Sequence, residues 1–180
     1  MQDEKQFIQE LLNPKTQNKA FQVLLQQYQK PLYHHIRSIV LNHDDADDVL
    51  QNTFVKIFRH LQNFKGDSKL FSWIYRIATN ESLTFLTQKA KKHNTTSEAL
   101  QTKIVDNLHA DVYFDSSDIQ LKLQKAISLL PEKQQLVFNM KYFQEMKYEE
   151  ISEILGTTVG GLKASYHHAV KKIENYMNSN

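Results

Sequence analysis

The sequence contains no cysteine. That removes disulfides, thiolate metal sites and cysteine nucleophiles together, and it suits a reducing compartment. Glycine and proline are scarce, 4 and 3 in 180 residues. Alternating apolar and polar runs are few while helical spacing recurs, so the fold class is read as all-α. No apolar run approaches the roughly 20 residues that cross a bilayer, and mean hydropathy is −0.55. The first residues lack an apolar stretch with a cleavage site. Neither membrane insertion nor secretion is expected, and the cytoplasm is the expected location. An excess of one charge is also missing: 22 basic against 20 acidic residues leave +2. So mild a balance says little about nucleic acid, and the distribution of charge matters more.

What is present is patterned. Hydrophobic residues make up 41% of the chain, enough for a core, and the length allows one medium domain or two small ones. Acids cluster at Asp44, Asp45, Asp47 and Asp48, and bases at Lys89, Lys91 and Lys92 and at Lys163, Lys171 and Lys172. Phe21, Leu24, Leu25, Tyr28 and Leu32 predict a helix from about Lys19 to the Leu41 region, with Pro31 as a kink or a fresh start. Leu50, Phe54, Ile57, Phe58 and Leu61 predict a second, amphipathic helix. A loop at 64–68 separates it from a third, about Leu70 to Lys92. Periodicity fails from His93 to Ser117, which is read as a flexible linker with a partly helical middle. The expected units are therefore 1–92, a linker 93–117, and 118–180. In the second unit, Leu123, Ile127 and Leu130 end one helix and Pro131 opens another, whose buried stripe is Leu136, Val137, Met140 and Phe143.

The last two helices carry the clearest functional pattern. Tyr148, Ile151, Ile154 and Leu155 share one face, Gly156 suits a left-handed helix end, and Thr157 or Thr158 can cap the next helix. That final helix would bury Val159, Leu162, Tyr166, Ala169, Val170 and Ile173. Its opposite arc holds Gly160, Ala164, His167 and Lys171, flanked by Lys163 and His168, and no acid appears before Glu174. A small, basic outward face at a helix N-terminus suits the DNA major groove. An ordinary two-helix corner of an all-α core is the alternative. His167 and His168 point about 100° apart on a helix and cannot chelate one ion.

The run from Tyr148 to Lys163 (Tyr-Glu-Glu-Ile-Ser-Glu-Ile-Leu-Gly-Thr-Thr-Val-Gly-Gly-Leu-Lys) resembles region 4 of the extracytoplasmic-function (ECF) sigma factors, within the sigma-70 family. Leu129 to Gln134 resembles the entry to the same domain. Independently, Asp44 to Phe54 resembles region 2.2, and Phe64 to Asn80 resembles regions 2.3 and 2.4. The resemblance covers nearly the whole chain apart from the linker and the ends. It implies two helical domains, a region 2 bundle and a region 4 helix-turn-helix, that act as an alternative sigma factor. Such a factor binds core RNA polymerase, through the β′ clamp helices and the β flap, and promoter DNA. Region 4 reads the −35 element; region 2 reads and melts the −10 element. The polymerase does the chemistry, so no enzymatic activity, cofactor or metal is expected. An anti-sigma partner that clamps both domains, in some cases at the inner membrane face, is implied as well.

The resemblance assigns Asp44, Asp45, Asp47, Asp48 and Gln51 to polymerase docking. Those carboxylates also suit the N-terminal end of a helix dipole, worth roughly 0.3–1 kcal/mol each. A Mg²⁺ nuclease site is a third reading for them, but no His or Glu stands nearby at ligand spacing. Phe64, Ile77 and Asn80 match a pocket for a flipped −10 base: an apolar wall, and an amide for the base edge. Lys65 would approach the strand. Ile77 and Phe64 could equally be core, and Trp73 is read first as core packing. Lys89, Lys91 and Lys92 either touch phosphates or complement the helix end. Gly160, Lys163, Ala164, His167, His168 and Lys171 fall at −35 readout positions. Here the chain departs from the commoner pattern: Ser165, Thr84 and Thr87 stand where relatives often carry Arg or Asp, and arginine is absent around His167–His168. Fewer arginines mean fewer bidentate guanine contacts. A stand-alone repressor is the rival reading; it would not need the Asp44–Phe54 and Phe64–Asn80 segments.

Overall fold

The computed structural model describes residues 4–108 and 117–179. Among the described residues there is no strand, and nine α-helices follow in order. They are α1 (Glu4–Leu12), α2 (Gln17–Val40), α3 (His43–His60), α4 (Leu70–Lys92), α5 (Ser97–Asp106), α6 (Asp118–Ser128), α7 (Glu132–Phe138), α8 (Tyr148–Leu155) and α9 (Val159–Asn178).

Helices α2, α3 and α4 pack on one another as a bundle, with α1 laid across α2. Ala20, Leu24, Leu32, Ile36 and Ile39 form the buried stripe of α2. Leu41 ends that helix in the left-handed region (φ 64°), its N–H donating to the Arg37 carbonyl. Asn42 caps α3: its side-chain oxygen accepts from the Asp45 N–H at 3.0 Å. Val49, Leu50, Phe54 and Ile57 then face the core, while Phe58 stays 40% exposed beside Phe21. Helix α4 is the hub and touches α2, α3, α5 and α8.

Three sequence expectations need correction or extension. Pro31 does not restart the helix; α2 runs unbroken through it. Pro31 is exposed, and the carbonyl whose helical partner it removes belongs to the preceding turn, where water can serve it. Helix α1 is absent from the sequence expectation. Nine residues make a marginal helix alone, and it is tertiary burial of Phe7 and Leu11 that holds it. Phe143, expected in a buried stripe, is 46% exposed. The chain widens into a π-helical turn at Asn139–Phe143, and the extra residue per turn rotates Phe143 off the face that buries Leu136, Val137 and Met140.

Within 93–117, α5 is capped by Thr96, whose hydroxyl accepts from the Ala99 N–H at 3.2 Å. Its Gln101 side chain donates to the Ile39 carbonyl at 3.0 Å, so this helix is tied to α2. Helices α6, α7 and α9 enclose a small core of Ala126, Ile127, Leu130, Phe138, Ala169 and Ile173. A larger apolar cluster runs from the α2–α4 bundle through Leu136, Val137, Met140, Met146, Ile151 and Ile154 to Leu162. The N-terminal bundle and the C-terminal helices are therefore packed together, chiefly α4 against α8.

Candidate nucleic-acid and polymerase interface

The turn between α8 and α9 is built from local chemistry. Glu150 accepts from the Lys147 N–H at 2.9 Å and closes the first turn of α8. Gly156 ends α8 at φ +63°, a conformation in which a Cβ is penalised. Thr158, of the two candidate threonines, caps α9: its hydroxyl accepts from the Gly161 N–H at 3.2 Å. Leu162, Ala169 and Ile173 are buried, while Val159, Tyr166 and Val170 are only half-buried. Gly160, Lys163, Ala164, His167, His168 and Lys171 are all exposed, on an arc with no carboxylate until Glu174. The Lys163 ammonium lies 5.8 Å from the Tyr148 ring centroid.

On the N-terminal bundle the acidic residues divide in two. Asp45 points back into the bundle and forms an ion pair with Lys89 of α4. Asp47 lies 3.5 Å from the Nε2 of His43, whose Nδ1 is 2.6 Å from the Tyr33 hydroxyl. Asp44, Asp48 and Gln51 are exposed and sit at i, i+4 and i+7 on the outer face of α3. Val55, 50% exposed, continues that stripe. Sequence reasoning missed Val55, although extending the same spacing to i+11 would have found it.

The residues matched to a base pocket are spread over different environments. Asn80 is exposed on α4, and Ile77 one turn earlier is half-buried. Phe64 is 7% exposed, its ring 5.2 Å from that of Trp73. Phe64 is thus part of the wall under the loop, not a ring open to solvent. Lys65 is exposed beside Gly66, which takes φ +77°. Of the three lysines at the end of α4, Lys91 and Lys92 are exposed, while Lys89 is engaged by Asp45. No cluster of three or more metal-binding side chains occurs among the described residues, and no helix there is long and apolar enough to cross a membrane.

Two family models match the chain: Sigma-70 region 2 over residues 24–92 and Sigma-70, region 4 over residues 120–173. The chain belongs to the ECF group of the sigma-70 family. As a sigma factor it binds core RNA polymerase and directs it to promoters. Curated relatives include the ECF RNA polymerase sigma-E factor of Haemophilus influenzae, 26% identical over 87% of this chain and 87% of that one. The RNA polymerase sigma-H factor of Pseudomonas aeruginosa is 27% identical over 87% and 85%. The sigma-E factor of Escherichia coli K12 is 27% identical over 89% and 88%. The fold is shared with CnrH, solved with the cytosolic domain of CnrY (TM-score 0.71, 18% identity, 99% and 98% covered). It is shared too with the sigma factor RpoE of Bartonella quintana, solved with the anti-sigma factor NepR (TM-score 0.66, 20% identity, 90% and 99% covered).

Sequence reasoning also missed the groups through which the factor's two halves meet. His35 of α2 is 1% exposed. Its Nε2 is 2.8 Å from Thr79 Oγ1 on α4, and its Nδ1 is 3.0 Å from the side-chain oxygen of Gln144, just beyond the π-helical turn. The Tyr75 ring lies 5.0 Å away. Asn139 donates to the Ser38 carbonyl at 3.1 Å, and Arg76 of α4 donates to the Glu153 carbonyl of α8. Nothing in the sequence marks these residues, because each pair is remote along the chain.

Burial pushes His35 from 6.5 down to about 4. The unfolded chain therefore takes up this proton first as pH falls. The stabilisation from a neutral His35 is complete above about pH 6.5 and is lost progressively as pH falls from there to about 4. The loss amounts to about 3 kcal/mol at most. Urea titrations at pH 7.5 and pH 4.5 should show that His35→Gln has a distinctly smaller acid loss than the parent. Equal losses would mean that His35 does not carry the effect.

Proposed function

We propose that this factor grips a promoter at two points, through the exposed face of α9 and the loop-and-α4 surface around Asn80, while the outer face of α3 holds the polymerase. The observation that carries this reading is the continuous exposure of Gly160, Lys163, Ala164, His167, His168 and Lys171 on an arc that carries no acid before Glu174, at a capped helix N-terminus. That arc reads the −35 element. Asn80 offers an amide to a −10 base, Ile77 lines its apolar side, and Phe64 with Trp73 supports the wall. Lys65, Lys91 and Lys92 neutralise phosphates. Lys89, bound to Asp45, instead holds the start of α3 against α4.

Asp44, Asp48 and Gln51, with Val55, form the contact to the β′ clamp helices, and the C-terminal domain meets the β flap. Functional units correspond to 1–92 and 118–180, joined through 93–117. The factor works in the cytoplasm, performs no chemistry of its own, and is held in reserve by an anti-sigma factor. CnrH and the B. quintana factor were both solved with a bound regulatory protein, which supports the last point.

Run-off transcription over a genomic fragment library, with purified core polymerase, tests the reading. Discrete start sites that require both core enzyme and factor are expected. Tight sequence-specific binding by the free chain, with no transcripts, would favour a repressor.

A further inference from the structure

The surface around Asn80 has a weak point in its own backbone. From Lys65 to Ser68 the chain has no regular structure, and no hydrogen bond between described residues involves these four. Gly66, in their midst, takes φ +77°. Helix α4, which carries Ile77 and Asn80, begins directly after this loop. Its N-cap residue is Lys69, whose ammonium can only donate, and no side-chain cap forms there. The first N–H groups of α4 therefore need acceptors from elsewhere.

Helix α1 supplies one. The Glu4 carboxylate accepts from the Leu70 N–H at 3.3 Å, a partner 66 positions along the chain. Negative charge at that helix end is favoured by the helix dipole as well. At its other end α1 receives a tie in return. Gln62, in the 3-10 turn Leu61–Asn63 that leads into the loop, donates its side-chain amide to the Leu12 carbonyl at 3.2 Å. Leu12 is the last residue of α1, so its carbonyl has no partner within the helix. The start of α4 is thus completed by α1, and the end of α1 by the turn before the loop.

The two ties lie at opposite ends of both segments. Glu4 and Leu12 are the first and last residues of α1, about 12 Å apart at the helical rise. Gln62 and Leu70 bracket the loop on either side. Helix α1 therefore runs alongside the loop as a rod of fixed length. Phe7 and Leu11 are buried in the core of the bundle and hold the rod in place. Glu4, Tyr28, Lys69 and Leu70 line one cleft, so the carboxylate stands where α1, α2 and the start of α4 meet.

We infer that α1 is a splint for the loop that reads the −10 element, and that Glu4 and Gln62 are the residues that position it. The inference rests on the base-reading role proposed for Lys65, Ile77 and Asn80. With its two ends fixed, the loop has less freedom to lose when a base enters the pocket. A wrong base cannot use the pocket, whether the loop is ordered or not. The splint therefore favours the native base selectively, and by no more than its ties are worth.

The test uses the full chain with core polymerase, on a promoter from the run-off library and on copies with single −10 bases substituted. Glu4→Ala should lower the preference for the native sequence about fivefold, the usual effect of losing a helix cap, and Gln62→Ala by a similar factor. Glu4→Gln keeps an acceptor oxygen and should keep the preference. Affinity for core polymerase should be unchanged in all three. A smaller folded fraction cannot imitate this pattern, because it lowers native and substituted promoters alike. Amide exchange of the free chain gives a second measurement: exchange at Leu70 should quicken about fivefold in Glu4→Ala and stay slow in Glu4→Gln. An unchanged promoter preference in Glu4→Ala, or unchanged exchange at Leu70, overturns the splint. So does a loss of core binding as large as the loss of preference, which would make α1 a general stabiliser. A parent with no preference at −10 sinks the two-point reading and the splint's role in it; a parent preference that survives Glu4→Ala sinks the splint alone.

Discussion

Replacing Asn80 by alanine is expected to lower the rate of promoter opening by a factor of roughly 5 to 150, with affinity for core polymerase unchanged. The amide is exposed on α4 and is not part of the core, so its loss leaves the bundle intact. What disappears is a hydrogen-bonding group presented to a base edge, a loss of about 1–3 kcal/mol in discrimination. Ile77, one turn away and half-buried, would keep the apolar side of the pocket. Potassium permanganate footprinting of melted thymines reads the opening step, and a core-binding titration supplies the control. Were Asn80→Ala to weaken core binding as much as opening, the residue would be structural and the pocket assignment would fall.

Reversing charge on the outer face of α3, with Asp44→Lys and Asp48→Lys together, should weaken the complex with core polymerase by about 30-fold or more, mostly through slower association at low salt. Both residues are exposed and lie one turn apart. Asp45→Lys would be a poorer test, because Asp45 already serves Lys89 and its loss strands that ammonium. The folded chain itself should change little. Of the two, only Asp44 lies in the first turn of α3, and losing its carboxylate there costs on the order of 1 kcal/mol at most. Surface-plasmon measurements of core binding at two salt concentrations give the answer, and wild-type association rates for the reversed variant would remove α3 from the docking surface.

Both predictions were narrowed by the fold. Along the chain, the docking segment offers five equivalent candidates, Asp44, Asp45, Asp47, Asp48 and Gln51. Folding turns Asp45 inward to Lys89 and Asp47 toward His43, and leaves Asp44, Asp48 and Gln51 on the outer face. The three basic residues at the end of α4 divide in the same way. Phe64, readable as either pocket or core, lies buried against Trp73. None of these choices is legible beforehand, because each depends on how a side chain meets a neighbour that folding brings to it. The outward arc of α9 needed no partner, since 3.6-residue periodicity alone separates Gly160, Lys163, Ala164, His167, His168 and Lys171 from Leu162, Ala169 and Ile173.

Local rules therefore decided whatever is local. Helical spacing, scarce glycine and proline, and capping chemistry at Asn42, Gly156 and Thr158 determined the helices, the helix-turn-helix and its exposed face. Two separated motifs determined the family. Tertiary structure alone decided which charges are engaged, that Pro31 sits harmlessly on a solvent face, and that Asn139–Phe143 widens and expels Phe143. It alone decided that His35 meets Gln144, 109 positions along the chain. The physical reason is the same in each case. Periodicity reports which face of a helix is apolar, whereas the burial of a polar group is settled by the donor or acceptor that another element brings to it.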